Sequence, residues 1–180
     1  WLLRHHIHPW EVAIDERVVL ETAPARSAFG VVAALYEQHR AATGKARWCC
    51  KSTFMIDHCH TILRHFPAAQ LIFLVRDPRD VAASSRRSIF STYEPYFTAE
   101  LWRRQQLTGL AWLDELPPTT IHLLRYEDLL RAPESQVERL CEFLGEPFEP
   151  AMLRYFETRE AQRGASLSRS WENTAIPILE

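Results

Sequence analysis

Arg76 and Ser84 lie eight residues apart in the segment Leu71 to Ser88, LIFLVRDPRDVAASSRRS. An arginine presents a rigid fork of N–H donors that matches phosphate or sulfate oxygens, and a serine hydroxyl adds another donor. The apolar run before Arg76 has the length and continuity of a strand buried on both faces. Asp77-Pro78 follows at once. Asp caps a first helical turn well and Pro suits the first helical position, so a helix is expected from Asp77 to about Ser88. A strand would thus end on a cation, and the start of the next helix would add partial positive charge. The chemistry this predicts is the holding of a phosphate-like anion at a strand end. The alternative is a structural ion pair of Arg76 with Asp80 or Glu127.

Two further groups belong to the same chemistry. LLRYEDLL (Leu123 to Leu130) sets Arg125, Tyr126, Glu127 and Asp128 at the end of a second apolar run, and so at the same sheet edge if the two strands are parallel. Tyr126 is then either a stacking or hydrogen-bonding partner for a base, or a buried structural tyrosine. Lys51 leaves the stretch RWCCKS (Arg47 to Ser52) as a compact point charge for a phosphate or sulfate oxygen, or as a solvated surface lysine. The histidines in RHHIH (Arg4 to His8) and DHCH (Asp57 to His60) look like metal ligands by type only. Neither has a partner motif at zinc spacing, and His58 and His60 point to different sides of a helix, so no metal is expected.

These residues need elements to position them. Ser27 is a cap for a helix to about Thr43, with Gly44 as its stop. RWCC reads as a short strand. A helix from about Asp57 to His65 ends at Pro67. Strands are expected at Gln70–Val75 and Thr120–Leu124, with a helix from Thr98 to Leu116 between them. A helix from Pro133 to Leu144 stops at Gly145, and a short one follows around Pro150 to Thr158. The first 26 residues and the tail from Arg159 read as irregular. Alternating strands and helices predict an α/β fold with a parallel sheet and helices on both faces, in three layers.

The 180 residues suit a single domain, 1–180, with one core. Apolar residues make up 47% and charged residues 24%, ordinary values for a globular chain. A net charge of −2 argues against a general nucleic-acid binder. No apolar run reaches the roughly 18 residues that a membrane span requires, and no secretory signal is visible. The four cysteines have no CxxC spacing, and free thiols in a reducing, cytoplasmic compartment are expected.

FPAAQLIFLVRDPRDVAAS resembles the 3′-phosphate-binding segment of sulfotransferases that use the donor PAPS (3′-phosphoadenosine 5′-phosphosulfate). RYEDLLRAPESQVERLCEFLGEPFEPAML looks like the segment that follows in the bacterial and tyrosylprotein-like branches, and RWCCKST resembles their W-x-x-K element. The likeness covers about Gly44 to Tyr155. It implies a P-loop-like fold, with Arg76 and Ser84 on the donor's 3′-phosphate, Tyr126 near the adenine and Lys51 at the transferring sulfuryl group. LSRSWEN resembles the late segment that closes over the 3′-phosphate, making Arg169 a further candidate. The implied reaction passes a sulfuryl group from PAPS to a hydroxyl or amine of a carbohydrate, small molecule or peptide, leaving PAP and needing no metal. The acceptor is expected under the aromatic segment Phe90 to Phe97.

The pattern departs from the family in two places. Thr53 stands where proline is usual after the lysine element. The glycine-rich loop G-x-x-R-S-G-T, which would hold the 5′-phosphosulfate on backbone N–H groups, has no counterpart among these residues, which include only five glycines. The first strand and this loop are therefore expected upstream of Trp1, and the general base either there or among the first residues, with Glu11 and His8 as candidates. On this reading the chain is the C-terminal part of a sulfotransferase, inactive or weak by itself. The rivals are a non-catalytic remnant or interaction module of the same fold, and a P-loop kinase. The kinase lacks both its G-x-x-x-x-G-K motif and a magnesium-holding carboxylate at the strand end.

Overall fold

The computed structural model describes residues 12–23, 27–86, 94–167 and 169–177. The chain divides into two compact units, one up to Pro67 and one from Ala68.

The first unit is helical. Helix α1 (Glu16–Thr22) starts at Asp15, whose carboxylate accepts the Arg17 N–H, and α2 (Ala28–Ala42) starts at Ser27, whose hydroxyl accepts the Gly30 N–H. These caps satisfy donors that the first turn leaves orphaned. Val19, Ala34 and Leu35 form the buried core between the two helices. A 3₁₀ turn (Met55–His58) leads into α3 (Cys59–His65). Trp48 packs between Tyr36 and Phe66, with ring centroids 4.9 and 5.6 Å away. The stretch RWCC, expected as a strand, is not one: residues 47–52 join no ladder. A strand exists only through its hydrogen-bonded neighbour, and the described residues of this unit contain none.

The second unit holds the sheet. Strands β1 (Leu71–Val75) and β2 (Ile121–Arg125) pair in parallel, with Leu71 opposite Ile121 and Val75 opposite Arg125. Between them run α4 (Pro78–Ser85) and α5 (Pro95–Glu115); after β2 come α6 (Tyr126–Arg131) and α7 (Pro133–Leu144). Phe73 points from one face of the sheet onto Gly109 of α5, where a Cβ would stand 2.1 Å from the phenyl Cζ. His122, on the opposite face, stacks on Phe143 of α7 at 5.2 Å. The two strands thus carry helices on both faces, as expected. Ile72 and Leu74 remain 40% and 54% exposed on the His122 side.

Several elements differ from expectation: α1 forms within the 26 residues read as irregular, because Asp15 caps it and Val19 is buried against α2, and α6 follows β2 where no helix was expected. Helix α5 begins at Pro95 rather than Thr98, because Pro95 itself takes the first helical turn. The tail from Arg159 is not irregular: α8 (Arg159–Leu167) and a 3₁₀ segment (Arg169–Ala175) form there. Thr158 caps α8 by accepting the Ala161 N–H, and Thr174 donates to the Ala161 carbonyl. Thr158 was the local signal, outweighed by the polar composition that follows it. Helix α7 ends as expected at Gly145, whose φ of +72° suits a residue without a Cβ.

Candidate functional site

Parallel register fixes which residues meet at the carboxyl edge of the sheet. Val75 lies opposite Arg125, so the chain leaves β1 at Arg76 just where it leaves β2 at Tyr126. The Arg76 guanidinium lies over the Tyr126 ring, 4.6 Å from its centroid. A cation there is attracted by the negative face of the ring. Asp80, one turn into α4, approaches Arg76 only to 3.8 Å. Exposed ion pairs of this length contribute little. The Arg76 Nε is buried and has no hydrogen-bond partner among the described residues.

The turn after Arg76 is tightly bonded. The Asp77 carboxylate accepts from the Arg79 N–H at 2.8 Å and from the Arg79 guanidinium at 2.7 and 3.0 Å. The Arg79 side-chain bond, reinforced by the backbone bonds, pulls the Asp77 pKa down to about 2. The Asp77 N–H donates to Glu127 Oε1 at 2.7 Å, and the Arg76 carbonyl accepts from Trp102 Nε1 at 3.0 Å. The Asp77 and Arg79 N–H groups at the start of α4 are thus met by the protein's own carboxylates. Of the two structural ion pairs weighed for Arg76, the one with Asp80 is present at 3.8 Å, and the one with Glu127 is not, because Glu127 accepts the Asp77 N–H instead.

Ser84 is exposed on α4, one turn beyond Asp80 and on the same helix face. Tyr126 is half-buried at the start of α6. Tyr155, which sequence reasoning passed over, lies close enough to Tyr126 to feel its charge; burial first, and then that charge, makes the Tyr155 phenol harder to ionise. Its hydroxyl donates to the Ile176 carbonyl at 2.9 Å, tying the segment that carries Arg169 to the 3₁₀ helix Pro150–Glu157. Lys51 is an exposed loop residue of the first unit. Glu11, His8 and residues 87–93, which include Phe90, lie outside the described residues; Tyr96 and Phe97 are exposed.

Trp102 was also missed. Its one available signal was an indole N–H that must find an acceptor when buried. Among the described residues no group of three or more His, Cys, Asp or Glu side chains is placed to hold a metal ion, and no helix is long and apolar enough to cross a membrane. All four cysteines are free.

A parallel sheet with helices on both faces defines an α/β protein. Within that class, the chain belongs to the sulfotransferase family, whose model matches residues 4–150. It is similar to the solved sulfotransferase domain from the curacin biosynthetic pathway, with a TM-score of 0.51 and 25% identity; the match covers 76% of this chain and 56% of that one. An uncharacterized protein of Aquifex aeolicus (strain VF5) is 28% identical over 152 residues, which is 69% of this chain and 19% of that protein. The chain thus spans about a fifth of the one relative and just over half of the other.

Proposed function

We propose that this chain binds the adenosine end of PAPS for sulfuryl transfer to a hydroxyl or amine acceptor. The observation that carries the reading is Arg76: at the carboxyl end of β1, laid on Tyr126, with a buried Nε that has no hydrogen-bond partner among the described residues and only the Asp80 carboxylate nearby, 3.8 Å from its Nη2. These residues fit an anionic group. An arginine whose Nε–H is unmet gains a charge-assisted bond when a phosphate arrives. Ser84 supplies a hydroxyl on the α4 face toward which Arg76 leans, Tyr126 supplies a ring for the adenine, and Arg169 belongs to a segment tied back to Tyr155.

The role proposed for Lys51 rests on its sequence element: it stabilises the charge that develops on the bridging oxygen as sulfur is transferred. PAPS when bound supplies the activated sulfuryl group. Arg76 and Ser84 anchor its far end, so that binding energy remote from sulfur positions it. Preorganised cations lower the barrier as they do in phosphoryl transfer, without calling on a metal. Turnover by these 180 residues alone is proposed to be weak or absent, because they contain no glycine-rich phosphosulfate loop. A cytoplasmic setting is proposed from the four free thiols.

Calorimetry with 3′,5′-bisphosphoadenosine and 5′-AMP tests this. The bisphosphate should bind more tightly, and Arg76→Ala should remove about ten- to a hundredfold of that advantage, the worth of a hydrogen bond to a charged group. Equal affinity for both nucleotides in the unaltered chain would overturn the donor reading.

A further inference from the structure

Among the described residues, one peptide group is seen to be held at both of its polar atoms by side chains from different elements. It joins Arg76 to Asp77. Its carbonyl accepts from Trp102 Nε1 of α5 at 3.0 Å, and its N–H donates to Glu127 Oε1 of α6 at 2.7 Å. Neither bond is required by secondary structure, since the carbonyl lies past the end of β1 and the N–H precedes the first turn of α4. Both bonds are partly buried, and their partners lie 26 and 50 residues away.

A trans peptide is planar, with its carbonyl and N–H pointing in opposite directions. Bonds to both atoms therefore stop the plane from rotating. The Arg76 Cα lies in that plane, so anchoring the plane fixes the point from which the long side chain reaches over the Tyr126 ring. We propose that Trp102 and Glu127 are positioning residues that aim the Arg76 guanidinium, acting through the backbone without touching the ligand. Glu127 gains a second consequence from this role. Its carboxylate sits at the sheet edge where an anion would be repelled, and the bond to the Asp77 N–H directs one of its oxygens onto the backbone. The proposal rests on the donor reading for its ligand, but the geometry it concerns is independent of any ligand.

The test uses the full 180-residue chain with Trp102→Phe, which removes the indole N–H, Glu127→Ala, which removes the acceptor, and Glu127→Gln, whose amide oxygen can still accept. Trp102→Phe and Glu127→Ala should each lower the preference for 3′,5′-bisphosphoadenosine over 5′-AMP by about three- to tenfold, the worth of one net hydrogen bond. Glu127→Gln should retain most of the preference. An undiminished preference in both Trp102→Phe and Glu127→Ala, with only the melting temperature lowered, would reduce the two residues to fold support and overturn the proposal.

A second readout needs no nucleotide. The Arg76 side chain sits over an aromatic ring, so its proton resonances should be ring-current shifted, and this shift should shrink in Trp102→Phe and Glu127→Ala. If the unaltered chain shows no bisphosphate preference, the donor reading fails and the resonance alone decides: an unmoved resonance in both variants overturns the positioning role. Should Glu127→Ala not fold, Trp102→Phe decides on both readouts.

Discussion

A guanidinium resting on a phenol ring keeps its edge donors free while its face is occupied, which suits Arg76 to take an anion in the plane of its fork. The ring should therefore contribute separately from its hydroxyl. Tyr126→Ala is expected to weaken 3′,5′-bisphosphoadenosine binding about two- to fivefold, the range of an exposed cation–π contact, and Tyr126→Phe by less, as calorimetry would show. Asp77 makes a different prediction. Its carboxyl titrates near 2 in the folded chain, below the 3.8 of a free aspartate, because it is bound by Arg79. A depressed carboxyl stabilises the fold above its unfolded pKa and loses that contribution as pH falls through the folded one. The α4 cap should hold at pH 5 and loosen between about pH 4 and pH 2, seen as faster amide exchange at Arg79; exchange independent of pH-driven opening across that window would count against the cap. At this scale the sequence was informative where chemistry is local. The Arg76–Ser84 spacing and the Asp77-Pro78 start are both written in neighbouring letters. Trp102 and Glu127 were not legible as a pair, because only the docking of α5 and α6 on the strand ends brings them to one peptide.

Among the elements, α5 is the one most tightly fitted to the sheet. Its Gly109 lies beneath Phe73, with no room for even a methyl group. Helix propensity alone would favour alanine at this position by about 1 kcal/mol. The close approach reverses the sign: Gly109→Ala should destabilise the chain by about 1–3 kcal/mol, the usual cost of overpacking, measured by urea unfolding. A stabilised variant would mean that Phe73 can move aside. Since Trp102 sits two turns earlier on the same helix, displacement of α5 should also disturb the Arg76 turn. Strands β1 and β2 and helices α2, α4 and α7 were legible to within a few residues, because each combines an apolar pattern with a cap or stop residue. Helix α8 was hidden by its polar composition, and RWCC was misread because an apolar run of that length cannot show whether a neighbouring strand exists.

For the whole molecule, the α/β class followed from the alternation of elements, and membership of the sulfotransferase family from three motifs in order. Neither the composition nor the periodicity revealed that the described sheet consists of two strands, with Ile72 and Leu74 left partly open on one face. Sheet width is a property of long-range pairing, which a local pattern does not encode. The acceptor was equally illegible, since apolar and aromatic residues such as Tyr96 and Phe97 signal a contact surface without signalling its chemistry.

The parallel register also governs how this site comes into being. Asp77 and Glu127 are 50 residues apart, and bringing such distant positions together costs about 3.5 kcal/mol of chain entropy beyond a constant term. Helices α4 and α5 can form before that closure; the sheet cannot. Arg76 meets Tyr126 only when the loop has closed, so the unfolded chain has nothing with which to grip a nucleotide. A nucleotide bound as proposed would therefore stabilise the native state, by about 2.7 kcal/mol at a hundred times its dissociation constant. On the proposed donor reading, the supply of nucleotide and the stability of the folded chain would be coupled quantities.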